Sequence, residues 1–136
     1  MTTNFQTNIT VRVTDLNYGG HLGNDSLYGY FHQARVCCLR HLGLTEGDIG
    51  GGISLTQIEG HIKYKGEAFL GDLLQINVWF DDIKRTRFRT NYRVIRPADD
   101  RLIAEGYAVL AAFDYQSRRP QRLPASFVGK ISAINP

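Results

Sequence analysis

The run DLNYGGHLGNDSLYGYFHQARVCCLRHLG, residues 15–43, decides the fold. It divides at Asn24. Beyond that point Leu27, Phe31, Ala34, Cys38 and Leu42 recur at spacings of three and four, with Tyr30 and Cys37 beside them. This is one apolar stripe of an α-helix, with Asn24 or Asp25 as its N-cap and Gly43 as its stop. Before that point the chain is loop, rich in glycine and asparagine from Asp15 to Asn24. Further upstream, residues 5–14 alternate apolar and polar through Ile9, Val11 and Val13, which predicts a strand.

Downstream of the helix, Gly50-Gly51-Gly52 forms a joint, and almost everything after it reads as strand. Residues 53–65 place Ile58, Gly60, Ile62 and Tyr64 on one face and Gln57, Glu59, His61 and Lys63 on the other. Residues 72–83 gather Leu74, Ile76, Val78 and Phe80, with Trp79 on the reverse. Lys84-Arg85 reads as a hairpin turn, after which Phe88, Tyr92 and Val94 alternate with Arg87, Arg89, Asn91 and Arg93. A second turn, Pro97 to Asp100, leads into residues 102–115, apolar on both faces as in a doubly buried strand. Arg118-Arg119-Pro120 ends that strand, and a short helix or tail follows from Pro124. One helix cannot cover both faces of such a sheet. A second copy of the chain is the simplest cover, so a homo-oligomer, dimer or tetramer, is expected.

With 136 residues, no repeats and no low-complexity tract, residues 1–136 read as a single domain. No apolar run approaches the ~20 residues that cross a bilayer. The start, Met1 to Gln6, shows no basic stretch leading into an apolar one, so no secretory leader is expected. The two cysteines, Cys37 and Cys38, are helix neighbours pointing about 100° apart, which predicts free thiols in a reducing, cytoplasmic setting. His32, His41 and His61 lack metal-ligand spacing, so no metal is expected. The net charge of +3 admits an anionic ligand. Arg85, Arg87, Arg89 and Arg93 share a strand face without interleaved aromatic platforms, which argues against nucleic acid.

Residues 15–25 hold the densest cluster of polar and permissive side chains, and they end at a helix N-terminus, where unpaired N–H groups favour negative charge. The strand–loop–helix run Asp15-x-Asn17-x-x-Gly20-His21-Leu22-x-Asn24, followed by Ala34-Arg35, resembles the 4-hydroxybenzoyl-CoA thioesterase-like branch of the hot-dog superfamily. Further similarity lies in Tyr64 followed by Gly71-Asp72-Leu73-Leu74, in the basic hairpin from Lys84 to Phe88, and in Asp114 to Pro124. The resemblance spans nearly the whole chain. It implies an α+β hot-dog fold: a curved antiparallel sheet of five to six strands wrapped around one long central helix, with two chains pairing to extend the sheet. It also implies hydrolysis of an acyl-CoA thioester to free acid and CoA. No cofactor is implied; coenzyme A belongs to the substrate.

One position departs from the family. Many members carry their catalytic aspartate where this chain has Asn17, and an amide is neither base nor nucleophile at neutral pH. Thioester hydrolysis needs donors aimed at the carbonyl oxygen and a carboxylate to activate water or attack. The candidates in order are Asp25, Glu59 and Asp15, although Asp25 and Asn24 also suit a plain capping role. His21 reads either as a group that polarises the carbonyl or as one that holds the loop. Asn17 and Asn24 would fix geometry, and the backbone near Gly23 would donate to the carbonyl. Lys84, Arg85 and Arg87 stand where the family holds the CoA phosphates, with Arg118 and Arg119 as further candidates. Two other readings compete. One is a dehydratase or hydratase on the same fold, pairing His21 with Asp25. The other is a non-catalytic acyl-CoA-binding protein that lost its aspartate at Asn17.

Overall fold

A computed structural model describes residues 3–136; Met1 and Thr2, part of the start read above as lacking a leader, lie outside the described residues. In chain order the elements are β1 (Phe5–Thr10), a 3-10 turn (Val13–Asp15), α1 (Asn24–His41), β2 (Ser54–Tyr64), β3 (Leu73–Asp81), β4 (Arg87–Arg96), β5 (Arg101–Asp114), β6 (Arg119–Pro120) and α2 (Ala125–Ser132). The sheet runs β1-β3-β4-β5-β2, with β6 added on β5. Every pairing is antiparallel. α1 therefore carries the chain from one edge strand, β1, to the other, β2.

The alternation in the sequence is the pleat of the sheet. Leu74, Ile76, Val78 and Phe80 of β3 are buried, as are Phe88, Thr90, Tyr92 and Val94 of β4. From α1, Leu27, Tyr30, Phe31, Ala34, Arg35, Cys38 and Leu39 are buried at helical spacing. Each fully buried large side chain of this set stabilises the fold by roughly 1.5–3 kcal/mol. Phe31 lies flat on Tyr92, ring centroids 4.2 Å apart and planes 9° apart. Gly106 makes this stack possible: a Cβ there would stand 2.9 Å from the Phe31 ring. At the far end α2 lowers Phe127 and Ile131 into the core, Phe127 against Phe88 at 5.3 Å.

Two boundaries differ from those the sequence predicts. The first strand stops at Thr10 rather than 14, because the Arg12 backbone N–H and guanidinium both turn onto the Asp15 carboxylate and wind the next residues into the 3-10 turn. The α1 N-cap is Gly23, with no side-chain cap, so Asn24 and Asp25 are first-turn residues instead. The stop at Gly43 is as predicted: φ is +78°, Gly43 N–H donates to Arg40 O at 3.0 Å, and Leu44 N–H donates to Leu39 O at 2.8 Å. These bonds define a Schellman ending, with Leu44 positioned to pack over Leu39. Gly43→Ala forces a side chain into the left-handed region and is expected to cost about 1 kcal/mol in a urea titration. No change would contradict this ending.

Cys37 and Cys38 are both free. Burial, and secondarily the neighbouring Cys37, push the Cys38 thiol up to about 12. It is a core residue, not a nucleophile. No helix among the described residues is long and apolar enough to cross a membrane.

Candidate active site

The loop before α1 folds as a small hairpin. Leu16 bridges Leu22, Asn17 N–H donates to His21 O at 2.9 Å, and Gly20 N–H donates back to Asn17 O at 3.1 Å. Its root is Asp15, which is buried, accepts the Tyr30 hydroxyl at 2.6 Å and pairs with Arg12 at 3.2 Å. Burial works to raise the Asp15 carboxyl, but hydrogen bonds from Arg12 and Tyr30 and the Arg12 charge outweigh it and hold it below its ordinary value. Asp15 is thereby spent on architecture and is no longer a candidate base.

Asn17 Oδ1 accepts Gly19 N–H at 2.8 Å, which uses its carbonyl to fix the turn. A Cβ on Gly19 would sit 3.2 Å from that oxygen and 3.3 Å from His21 Nε2, so Asn17 and His21 flank the same glycine. His21 Nδ1 lies 3.3 Å from Leu22 O.

His21 and Asn24 line a pocket of about 260 Å³, closed by Leu22, Ala68 and Ile103 and rimmed by Tyr64, Gly66 and Glu67. Leu22 N–H bonds Ala68 O at 2.8 Å, tying the loop to the β2–β3 connection that forms the opposite wall. The first-turn N–H groups of Asn24, Asp25 and Ser26 have no backbone acceptor among the described residues, whereas Leu27 N–H already bonds Gly23 O. Burial first, then the charges of Tyr28 and Asp25, push the Tyr64 hydroxyl up to about 12, so at neutral pH it is an uncharged donor at the rim. Asp25 is close enough to be felt there. Its carboxylate folds back over the backbone, 2.7 Å from where a Gly23 Cβ would stand, and it is not among the pocket-lining residues.

Three expectations change with this geometry. Gly23 is no donor to a ligand, because its N–H is committed to Asp15 O at 3.0 Å; the open donors begin at Asn24. Glu59 lies on the sheet face turned away from α1, beside the Tyr107 hydroxyl, whose pKa it raises. The protomer therefore does not bring it to Asp25. Lys84, Arg85, Arg87 and Arg118 are exposed at the other end of the sheet. Register fixes their distance: Arg87 lies opposite Ala111, while Tyr64 lies opposite Ala104. The seven residue-to-residue steps of β5 from one level to the other span about 23 Å at ~3.3 Å each.

Sequence reading missed Glu67, Ala68 and Ile103 as pocket residues, and Glu46 as the partner of Arg35. Arg35 is 4% exposed, donates to Glu46 at 3.2 Å and to the Tyr92 hydroxyl at 2.9 Å, and His32 meets the second Glu46 oxygen at 2.6 Å. A charge inside an apolar helix stripe was the available signal, since buried arginines are paired. No cluster of metal-ligating side chains occurs among the described residues.

An antiparallel sheet covered on one face by a helix that links its two edges, with a polar pocket at that helix's N-terminus, is the hot-dog arrangement. The chain belongs to the thioesterase-like superfamily, whose model matches residues 11–131. It is similar in structure to the 1,4-dihydroxy-2-naphthoyl-CoA thioesterase of Synechocystis, with a TM-score of 0.87, 20% identity, and coverage of 95% of this chain and 96% of that one. A hypothetical protein of Staphylococcus aureus in complex with CoA gives a TM-score of 0.86 at 19% identity, covering 97% of this chain and 84% of that one. YbaW of Escherichia coli, called a probable thioesterase, gives 0.79 at 18% identity, covering 96% and 98%. At these identities the likeness is one of fold. No curated protein matches the chain in sequence.

Proposed function

We propose that the chain hydrolyses an acyl-CoA thioester to a free acid and CoA, in a site completed at the seam between two copies. The observation that carries the reading is the pocket where Asn24, at the start of a first helical turn with unpartnered N–H groups, meets His21, Tyr64 and a carboxylate. An acyl carbonyl seated there would turn its oxygen to the Asn24 and Asp25 N–H groups, where the negative charge of the tetrahedral intermediate is stabilised without reorganisation. Asn17 and His21 fix the loop that leads into those N–H groups. Asp25 sets the charge at the mouth.

The second copy follows from β2, an 11-residue strand at the edge of the sheet with one side of its ladder open. A twofold, antiparallel β2–β2 pairing would continue the sheet and reverse the partner's ends. The partner's β3–β4 hairpin would then stand at the level of this pocket, so Lys84, Arg85, Arg87 and Arg118 would hold CoA phosphates for the neighbour rather than for their own protomer. α1 would serve as the central helix, with the whole chain acting as one cytoplasmic domain. No cofactor takes part.

The experiment is thiol release from a panel of aromatic and aliphatic acyl-CoAs. At least one should be turned over, and the combined Lys84→Ala, Arg85→Ala, Arg87→Ala variant should raise KM about tenfold at low salt, with kcat less affected. Asn17, an amide used by its own turn, favours a second reading as a CoA-binding protein without catalysis. Calorimetric binding of CoA with no thiol release from any member of the panel would select it.

A further inference from the structure

Resting on the thioesterase reading above, we propose that Glu67 is the catalytic carboxylate that activates water. Among the described residues that line the pocket Glu67 is the single acidic one, on the wall opposite His21 and Asn24. The other candidates are engaged or displaced: Asp15 by Arg12 and Tyr30, Glu59 by its place on the far face, and Asp25 by its fold over Gly23. The Glu67 side chain is exposed and makes no ion pair or hydrogen bond among the described residues, which leaves both oxygens open to a water.

Its backbone, in contrast, is held on several sides. Arg96 Nη1 donates to Glu67 O at 3.0 Å, Arg101 Nη2 donates to Lys65 O at 3.0 Å, and Gly66 N–H donates to Ile103 O at 3.1 Å. A Cβ on Gly66 would stand 2.8 Å from Arg101 Nε, so the missing side chain at 66 is what lets that arginine close over the connection. A free carboxylate on a fixed main chain, lining the same pocket as the first turn of α1, is placed to act as a base.

In the step itself Glu67 takes one proton from water as the water oxygen forms a bond to the carbonyl carbon. The C=O π pair moves onto the oxygen that faces Asn24 and Asp25. When the carbonyl re-forms, the C–S bond breaks and its electron pair leaves with sulfur. Glu67 returns the proton to that sulfur. Thioester and water become free acid and CoA thiol, and the carboxylate is restored.

Thiol release by wild type, Glu67→Gln and Glu67→Asp across pH tests this, with CoA binding by calorimetry as the check that each variant is folded. Glu67→Gln should lose about a hundredfold or more in kcat with KM little changed, and should lose the acid limb of the kcat profile. Glu67→Asp should keep that limb at a reduced rate. Glu67→Gln within about threefold of wild type, acid limb intact, overturns the role while leaving the thioesterase reading in place. Absence of turnover by wild type itself overturns the reading, and the role with it.

Discussion

Glu46→Ala is expected to destabilise the fold by about 3 kcal/mol, the low end of what removing one partner of a buried ion pair costs. The Arg35 side chain is 5% exposed, and Glu46, at 23%, is the only carboxylate paired with it among the described residues. Without Glu46 the guanidinium keeps the Tyr92 hydroxyl and a 3.4 Å contact to Gln57, neither of which carries charge. It must then stay buried and uncompensated or drag the Phe31–Tyr92 stack apart to reach water. The reverse substitution should be milder. Arg35→Met frees Glu46 to be solvated beside His32 and puts a flexible apolar chain into the same channel. The doubly substituted chain, Arg35→Met with Glu46→Leu, should recover most of the loss. Urea titrations of the three variants check this. A Glu46→Ala loss under about 1 kcal/mol would show that the pair behaves as a surface bridge.

Much of this network could have been expected from the helix stripe alone. Leu27, Phe31, Ala34 and Cys38 announce a buried face through their spacing, and Arg35 falls within it. What the sequence does not reveal is where the counter-charge comes from, because Glu46 lies beyond the Schellman turn in a loop with no periodicity. The strands were legible for the same reason as the helix: a two-residue period is local, and burial on one face enforces it along β3 and β4. β1 was misjudged at its end because the bond from Arg12 N–H to Asp15 competes with the ladder, and that contest is decided by side-chain geometry. Gly106 gave no signal. Its role depends on the Phe31 ring arriving from 75 positions away in the chain.

The pocket was half legible. Its helix side, Asn17 to Asp25, is contiguous in sequence and rich in residue types that stabilise an oxyanion. Its other wall comes from the β2–β3 connection and the start of β5, which only the sheet register brings there. Glu67 is unremarkable as a lone acidic residue after Gly66, and Glu59 looks equally eligible until the pleat assigns it to the far face. The basic hairpin is visible in the sequence as a run of cations, but linear order hides that it stands at the opposite end of its own sheet from the pocket.

That separation makes the account testable by mixing two impaired chains and assaying with acyl-CoA well below KM, where a raised KM appears as lost activity. One variant, His21→Ala with Glu67→Gln, has a disabled pocket and an intact hairpin. The other, Lys84→Ala with Arg85→Ala, Arg87→Ala and Arg118→Ala, has an intact pocket and a disabled hairpin. If each site draws its pocket from one chain and its hairpin from the partner, a heterodimer holds one complete site, and half of a randomly re-paired population is heterodimer. Co-refolding equal amounts should therefore restore about a quarter of the wild-type thiol release. If pocket and hairpin of the same chain served one site, every site in the mixture would lack one half. Activity no greater than the average of the two separate variants would contradict the shared site.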